Sequence, residues 1–206
     1  HDAGAEVVVL CDTNGGMLPS WMAEVVQAAA ATGAKLGVHC HNDTACAVAN
    51  TLAAVEAGVM HIQGTFNGYG ERTGNADLSA LIPNLQLKYG WDVLPPEQLA
   101  DLTRVAHAIA LVAHQPLLGR QPYVGHSSFA HKAGLHASAI RVDENLYQHT
   151  DPALVGNDMR MLVSDMAGRA NIQIKGEQLG FDLADRTLAA SITERVKAKE
   201  AEVMAV

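Results

Sequence analysis

The chain has 206 residues, 49% of them hydrophobic and 17% charged, with a formal net charge of −8. That is enough for one ordinary domain, or one and a half, around a packed core; the acidic balance disfavours nucleic acid and anionic membrane as partners, since both demand a basic surface. No apolar run approaches the roughly 20 residues of a transmembrane helix, no signal peptide opens the chain, and the three cysteines, Cys11, Cys40 and Cys46, contain no C-x-x-C pair and suit a reducing cytoplasm better than a disulfide framework.

In chain order, Glu6–Cys11 reads as a buried strand, and Asp12–Gly16 as a loop. Ser20 is placed to cap a helix running to about Ala31 and stopping at Gly33. Leu36–His41 is a second strand, followed by a helix from about Thr44 to Ala57 that stops at Gly58. Val59–Thr65 is a third strand, Gly68–Gly74 is a glycine-rich loop, and Asn75 or Asp77 starts a helix ending near Gly90. This βαβαβα order is the grammar of parallel α/β folds, and short strands with chemistry on the loops after them suit a (β/α)8 TIM barrel better than an open sheet. Three units do not close a barrel whose usual length is roughly 250 residues, and the chain opens on His1 rather than methionine, so the reading expects about five βα units before residue 1.

Beyond Gly90 the alternation stops. Pro95-Pro96-Glu97 opens a helix to about His114, Gln115–Pro122 is a loop, and Val124–Ile140 is mixed and histidine-rich. Asp151-Pro152 starts a short turn or helix, Ser164 caps a helix from about Asp165 to Leu179, and Leu183–Val206 is a last helix. The expected organisation is therefore the last three βα units of a barrel (1–90), a helical linker subdomain (91–156), and a helical subdomain (157–206) leading to a C-terminal domain that is not in the chain.

The sharpest chemical signal is His39-Cys40-His41-Asn42-Asp43. Alternation in a strand points His39 and His41 one way and Cys40 the other. Two imidazoles on one face, at the C-terminal end of a barrel strand, sit where such barrels build active sites, and neutral imidazole is a good ligand for divalent metals. A pair of hydrogen-bonded core histidines is the bland alternative. The second signal is Gly68-Tyr69-Gly70-Glu71-Arg72-Thr73-Gly74-Asn75-Ala76 after the next strand. Its glycines permit tight turns and close backbone approach to a ligand; Asn75 is placed either to cap the next helix or to offer its amide oxygen to a metal. A plain strand-to-helix loop with a surface Glu71–Arg72 pair fits the spacing equally well.

Taken together, H-C-H-N-D followed by G-x-G-E-R-x-G-N-A resembles the second signature of the isopropylmalate, homocitrate and citramalate synthases, a family of (β/α)8 barrels with helical subdomains. Leu10–Gly16 is similar to that family's sixth strand and its loop, and Phe129–His136 and Tyr147–Gly156 are similar to its citramalate branch. The resemblance implies His39, His41 and Asn75 as metal ligands, Thr13 as a hydrogen-bond donor to the substrate carboxylate, and His136 with Tyr147 as catalytic groups. It places the loop of Gly68, Gly70 and Glu71 near acetyl-CoA. It implies a divalent metal (Mg²⁺, Mn²⁺ or Zn²⁺), acetyl-CoA and a small 2-oxo acid as reactants, and a homodimer that exchanges helical subdomains. The implied reaction is condensation of acetyl-CoA with pyruvate to citramalate; 2-oxoisovalerate to 2-isopropylmalate is the alternative, and a metal-dependent TIM-barrel hydrolase is the rival from another class. In relatives, an Arg-Asp pair and a glutamate come from strands before residue 1, so the 206-residue chain alone is expected to be inactive. His131, five residues before His136, reads as structural, and His61 as ordinary.

Overall fold

A computed structural model describes residues 1–140, 142–163 and 168–204. Within them the chain forms two compact units, His1–Leu118 and Gly119–Val206.

The first unit is built on three strands, β1 (Val8–Asp12), β2 (Leu36–Cys40) and β3 (His61–Gln63), in the order β1-β2-β3. All pairing is parallel, with Cys11 opposite His39 and His39 opposite Gln63. Between the strands run α1 (Pro19–Ala30) and α2 (Ala47–Glu56), and α3 (Leu78–Leu87) follows β3. Leu36, Val38 and Cys40 are buried against Met22 and Val26 of α1 and Ala47 and Ala54 of α2, with Leu10 and Ile62 packed beside them. Side chains alternate along a strand. The remaining positions, Val9 and Cys11, Gly37 and His39, His61 and Gln63, therefore face away from the helices. The helical side holds the apolar core of this unit; the other side carries polar chemistry.

Several ends differ from expectation for local reasons. Ser20 does not cap α1: Leu18 is the cap residue, and Pro19 fills the first position, where its missing N–H costs nothing. Thr44 does not open α2, because its hydroxyl bonds the carbonyls of Gly15 (3.0 Å) and Met17 (3.3 Å); Asn42 instead accepts from the Ala47 N–H at 3.1 Å. Asp77, the second of the two proposed starts, caps α3 by accepting from the Ser79 N–H at 2.8 Å. The helix expected from Pro95 to His114 is two pieces, α4 (Pro96–Leu99) and α5 (Leu102–Val112).

The second unit contains α6 (Gly134–Ile140), α7 (Arg169–Gln178) and α8 (Arg186–Met204), with short 3-10 turns at Glu144–Leu146 and Pro152–Val155. Ser164, expected to cap the helix before Leu179, lies outside the described residues. An unexpected feature is a two-residue parallel pairing of β4 (Ala130–His131) with β5 (Arg160–Met161). Beside it the buried Asn157 side-chain amide donates to the carbonyls of Tyr123 (2.8 Å) and Gly125 (3.1 Å) and lies 3.2 Å from Ser128 Oγ, joining segments about thirty residues apart. Ala137, Ile140, Met161 and Ile174 form the core beneath. No helix among the described residues is long and apolar enough to cross a membrane.

Asn157→Ala is predicted to destabilise this unit by about 1–3 kcal/mol, because it removes two side-chain hydrogen bonds, to the Tyr123 and Gly125 carbonyls, from a buried position. Urea unfolding should show a lower midpoint at unchanged slope.

Candidate active site

The ends of β1, β2 and β3 and the loops after them form one laced surface. The His41 N–H donates to the Asp12 carbonyl at 3.2 Å, Asn42 N–H to Gly74 at 2.9 Å, and Ala76 N–H to Cys40 at 2.9 Å. The last two bonds fold the glycine-rich loop back along the end of β2, where His41 and Asn75 form an isolated antiparallel bridge. His39 and His41 share one face, with ring centroids 5.3 Å apart and edge-on. Cys40 points into the helical layer, where burial pushes its thiol pKa up to about 11. Its side chain faces away from His39 and His41.

Asn75 is 9% exposed. Its amide nitrogen donates to the Tyr69 carbonyl at 3.0 Å, which fixes the carboxamide and leaves Oδ1 buried without a hydrogen-bond partner. His41 Nδ1 is buried and unpartnered in the same way. A buried polar atom left unsatisfied costs about 1–3 kcal/mol. A divalent cation would accept the lone pairs of both atoms, beside a second imidazole. Two imidazoles and an amide oxygen suit a divalent ion such as Zn²⁺, Mn²⁺ or Mg²⁺ and do not choose among them. Among the described residues no group of three or more His, Cys, Asp or Glu side chains is placed to hold a metal, so the chain offers three donors of mixed type and leaves further coordination positions to other groups.

The glycines of the loop have steric reasons. A Cβ on Gly70 would run into the amide nitrogen of Asn75, and one on Gly74 would overlap the Gly68 carbonyl oxygen. Gly68 and Gly74 also take positive φ, 68° and 90°. Glu71 is exposed, and its backbone carbonyl accepts from the Gly74 N–H at 2.9 Å. Arg72 pairs with Asp43 of the β2 loop, at 2.8 and 3.0 Å, and with the Thr13 carbonyl at 2.8 Å. That guanidinium holds the Asp43 carboxyl below its ordinary range. Thr13 lies on an open cleft of about 830 Å³ along β1, walled also by Cys11, Asp12, Asp43 and Arg72, with Leu10 and Met22 as apolar lining.

In the second unit His136 of α6 stacks on Tyr147, with centroids 4.0 Å apart and planes at 26°. The 3-10 turn at Glu144–Leu146 returns the chain to make that contact. His131 lies 6.0 Å from His136, and its Nε2 is buried without a partner. Burial, and then the neighbouring His136, pull the His131 imidazole below its ordinary range. His39, His41 and Asn75 thus meet at the end of β2 beside the loop of Gly68, Gly70 and Glu71; Thr13 lies on the β1 cleft, whose walls include none of these residues, and is tied to the loop through Arg72; His136 and Tyr147 form a pair in the second unit.

Sequence reasoning missed three features. Cys11 and Gln63 lie in one row with His39. His61 is on the same face, where Gly37 has no Cβ to meet its ring. The Arg72–Asp43 pair was overlooked in favour of a Glu71–Arg72 pair. The first two follow from strand register; nothing local signals the third.

A family model described as HMGL-like matches residues 1–109, more than half of the chain. The chain belongs to the HMGL-like family. Its parallel βα units are accordingly part of a (β/α)8 barrel. A second model, described as homocitrate synthase post-HMGL domain-like, matches residues 123–203. The chain is 62% identical over 201 residues to a (R)-citramalate synthase of Streptomyces coelicolor, covering 97% of this chain and 38% of that one. It is 50% identical over 182 residues to a (R)-citramalate synthase of Aquifex aeolicus (87% and 34%) and 45% identical over 208 residues to one of Synechocystis (94% and 38%). The chain therefore spans little more than a third of the length of these relatives.

Gly70→Ala is predicted to displace the Asn75 carboxamide and weaken binding of a divalent ion about 10–100-fold in a full-length HMGL-like chain carrying this region, the cost usual for disturbing groups that hold a ligand in place. Isothermal titration with Mn²⁺ reads it; unchanged affinity would mean that Asn75 is not a ligand.

Proposed function

We propose that this region serves a synthase that condenses acetyl-CoA with pyruvate to give citramalate. The observation that carries the reading is the pair of buried, unpartnered donors, His41 Nδ1 and Asn75 Oδ1, beside His39 at the strand ends. Family membership and identity of up to 62% to (R)-citramalate synthases support it and favour it over the hydrolase alternative.

In this reading His39, His41 and Asn75 hold one divalent ion, which when bound supplies Lewis acidity toward the carboxylate and keto oxygens of the oxo acid. Thr13 donates its hydroxyl to the substrate carboxylate across the cleft that it lines. The loop of Gly68, Gly70 and Glu71 keeps its backbone open to acetyl-CoA; its glycines leave no Cβ in the way. The reaction joins the acetyl methyl carbon to the keto carbon: a base takes a methyl proton, the keto C=O π bond opens, and its oxygen takes up a proton to become the product hydroxyl. Water then cleaves the thioester C–S bond and releases CoA. His136 holds or relays a proton, since imidazole exchanges protons near neutral pH, and Tyr147, stacked on it, orients the ring. We further propose a homodimer with exchanged helical subdomains and a cytoplasmic location, which suits the free Cys11, Cys40 and Cys46. The three-stranded sheet leaves both of its edges unpaired among the described residues, so the 206-residue chain by itself is assigned little or no turnover.

The full-length protein is expected to release CoA from acetyl-CoA with pyruvate in preference to 2-oxoisovalerate. His39→Ala/His41→Ala should lose both bound metal and turnover. Undiminished metal content in the double variant would remove the metal assignment. A preference for 2-oxoisovalerate would make the product 2-isopropylmalate while leaving the site intact.

A further inference from the structure

The chemistry proposed above leaves one well-placed side chain without a part. Arg72 adopts a left-handed backbone conformation (φ 57°), uncommon for a residue with a Cβ. Its Nε donates to Asp43 Oδ1 at 2.8 Å, and its Nη2 to Asp43 Oδ2 at 3.0 Å and to the Thr13 carbonyl at 2.8 Å. Gly15 makes room for this arrangement: a Cβ there would collide with the Asp43 carboxylate. The fork-to-fork pair is directional, and lysine does not reproduce it. The two side chains remain partly exposed, 43% for Arg72 and 25% for Asp43, so their attraction is screened and the pair's worth lies in geometry more than in stability.

The three loops that meet on this guanidinium follow β1, β2 and β3, and each carries a residue of the candidate site. Thr13 contributes the carbonyl itself; Asp43 lies two residues beyond His41; Asn75 lies three residues beyond Arg72. We propose that Arg72 is a positioning residue that holds the substrate-binding Thr13 in register with the metal-holding His41 and Asn75. This rests on the reading under Proposed function that Thr13 binds the oxo acid and that His41 and Asn75 bind the ion. Loss of the fork removes the side-chain tie that joins the β3 loop to both Asp43 and Thr13 and leaves only the main-chain bonds between the loops, which loosens the ion site and the carboxylate contact together and leaves the binding of acetyl-CoA alone.

The test uses the full-length enzyme with Arg72→Lys, Arg72→Ala and Asp43→Asn. Free Mn²⁺ is measured by electron paramagnetic resonance without substrate, KM is measured separately for pyruvate and acetyl-CoA, and circular dichroism monitors folding. Arg72→Lys and Asp43→Asn should each weaken Mn²⁺ binding and raise the pyruvate KM by roughly 10–100-fold, as for other groups that orient metal ligands, with the acetyl-CoA KM unchanged. Added guanidinium ion should restore Mn²⁺ affinity to Arg72→Ala at least in part. Unchanged Mn²⁺ affinity and pyruvate KM in folded Arg72→Lys and Arg72→Ala would reduce the pair to a surface ion pair and overturn the inference. So would a rise confined to the acetyl-CoA KM in Arg72→Ala with Arg72→Lys normal, which marks a charge contact to the thioester substrate. Wild-type enzyme that neither binds Mn²⁺ nor condenses the substrates would instead refute the functional reading beneath it.

Discussion

The parallel pairing of β2 with a strand on each side is the constraint on which the rest of the first unit depends. It puts Val38 and Cys40 into the layer of α1 and α2 and, by alternation, His39 on the opposite face. A slip of one residue would bury the imidazole among Met22, Val26 and Ala47 and turn the Cys40 thiol toward the site. The apolar packing forbids that slip, since Val38 and Cys40 are wholly buried where they are, and each buried aliphatic side chain contributes about 1.5–3 kcal/mol. The position of the histidines is thus decided by the residues between and beside them, which take no part in chemistry.

The loop after β3 converts that register into a site. Main-chain bonds from Asn42 to Gly74 and from Ala76 to Cys40 carry Asn75 to the end of β2. Small residues are required for the chain to pass so closely, which is why glycine stands at positions 70 and 74. The Tyr69 carbonyl then takes the amide nitrogen of Asn75, leaving its oxygen unpartnered, as Nδ1 is on its bridge partner His41. Such atoms are costly to bury and are rare without a reason. Under the proposed reading a bound ion completes both, and the chain without it carries them at some expense to its own stability.

Much of the first unit was legible in the sequence because its signals are local. Strand runs alternate with helical patterns at short range, and the alternation of His39, Cys40 and His41 states the face of each side chain. Element ends were less legible where a polar side chain had a distant partner: Thr44 looks like a helix cap, and its hydroxyl is taken by Gly15 and Met17, some thirty residues earlier. The pairing of β4 with β5 involves only two residues a side and joins segments thirty residues apart, too brief to leave a pattern. The Arg72 fork reaches across 29 residues to Asp43 and 59 to Thr13, whereas sequence proximity favours Glu71 as its partner. The proposed metal donors, His39, His41 and Asn75, are named from alternation and from family resemblance. The evidence of need, the unpartnered atoms on His41 and Asn75, exists only in three dimensions.

The most direct test is crystallographic: full-length protein crystallised with Mn²⁺, with anomalous differences collected at the manganese edge. The account predicts one strong peak in direct contact with His39, His41 and the side-chain oxygen of Asn75. A peak elsewhere, or a well-ordered site at these residues in which none of the three touches the ion, would contradict it.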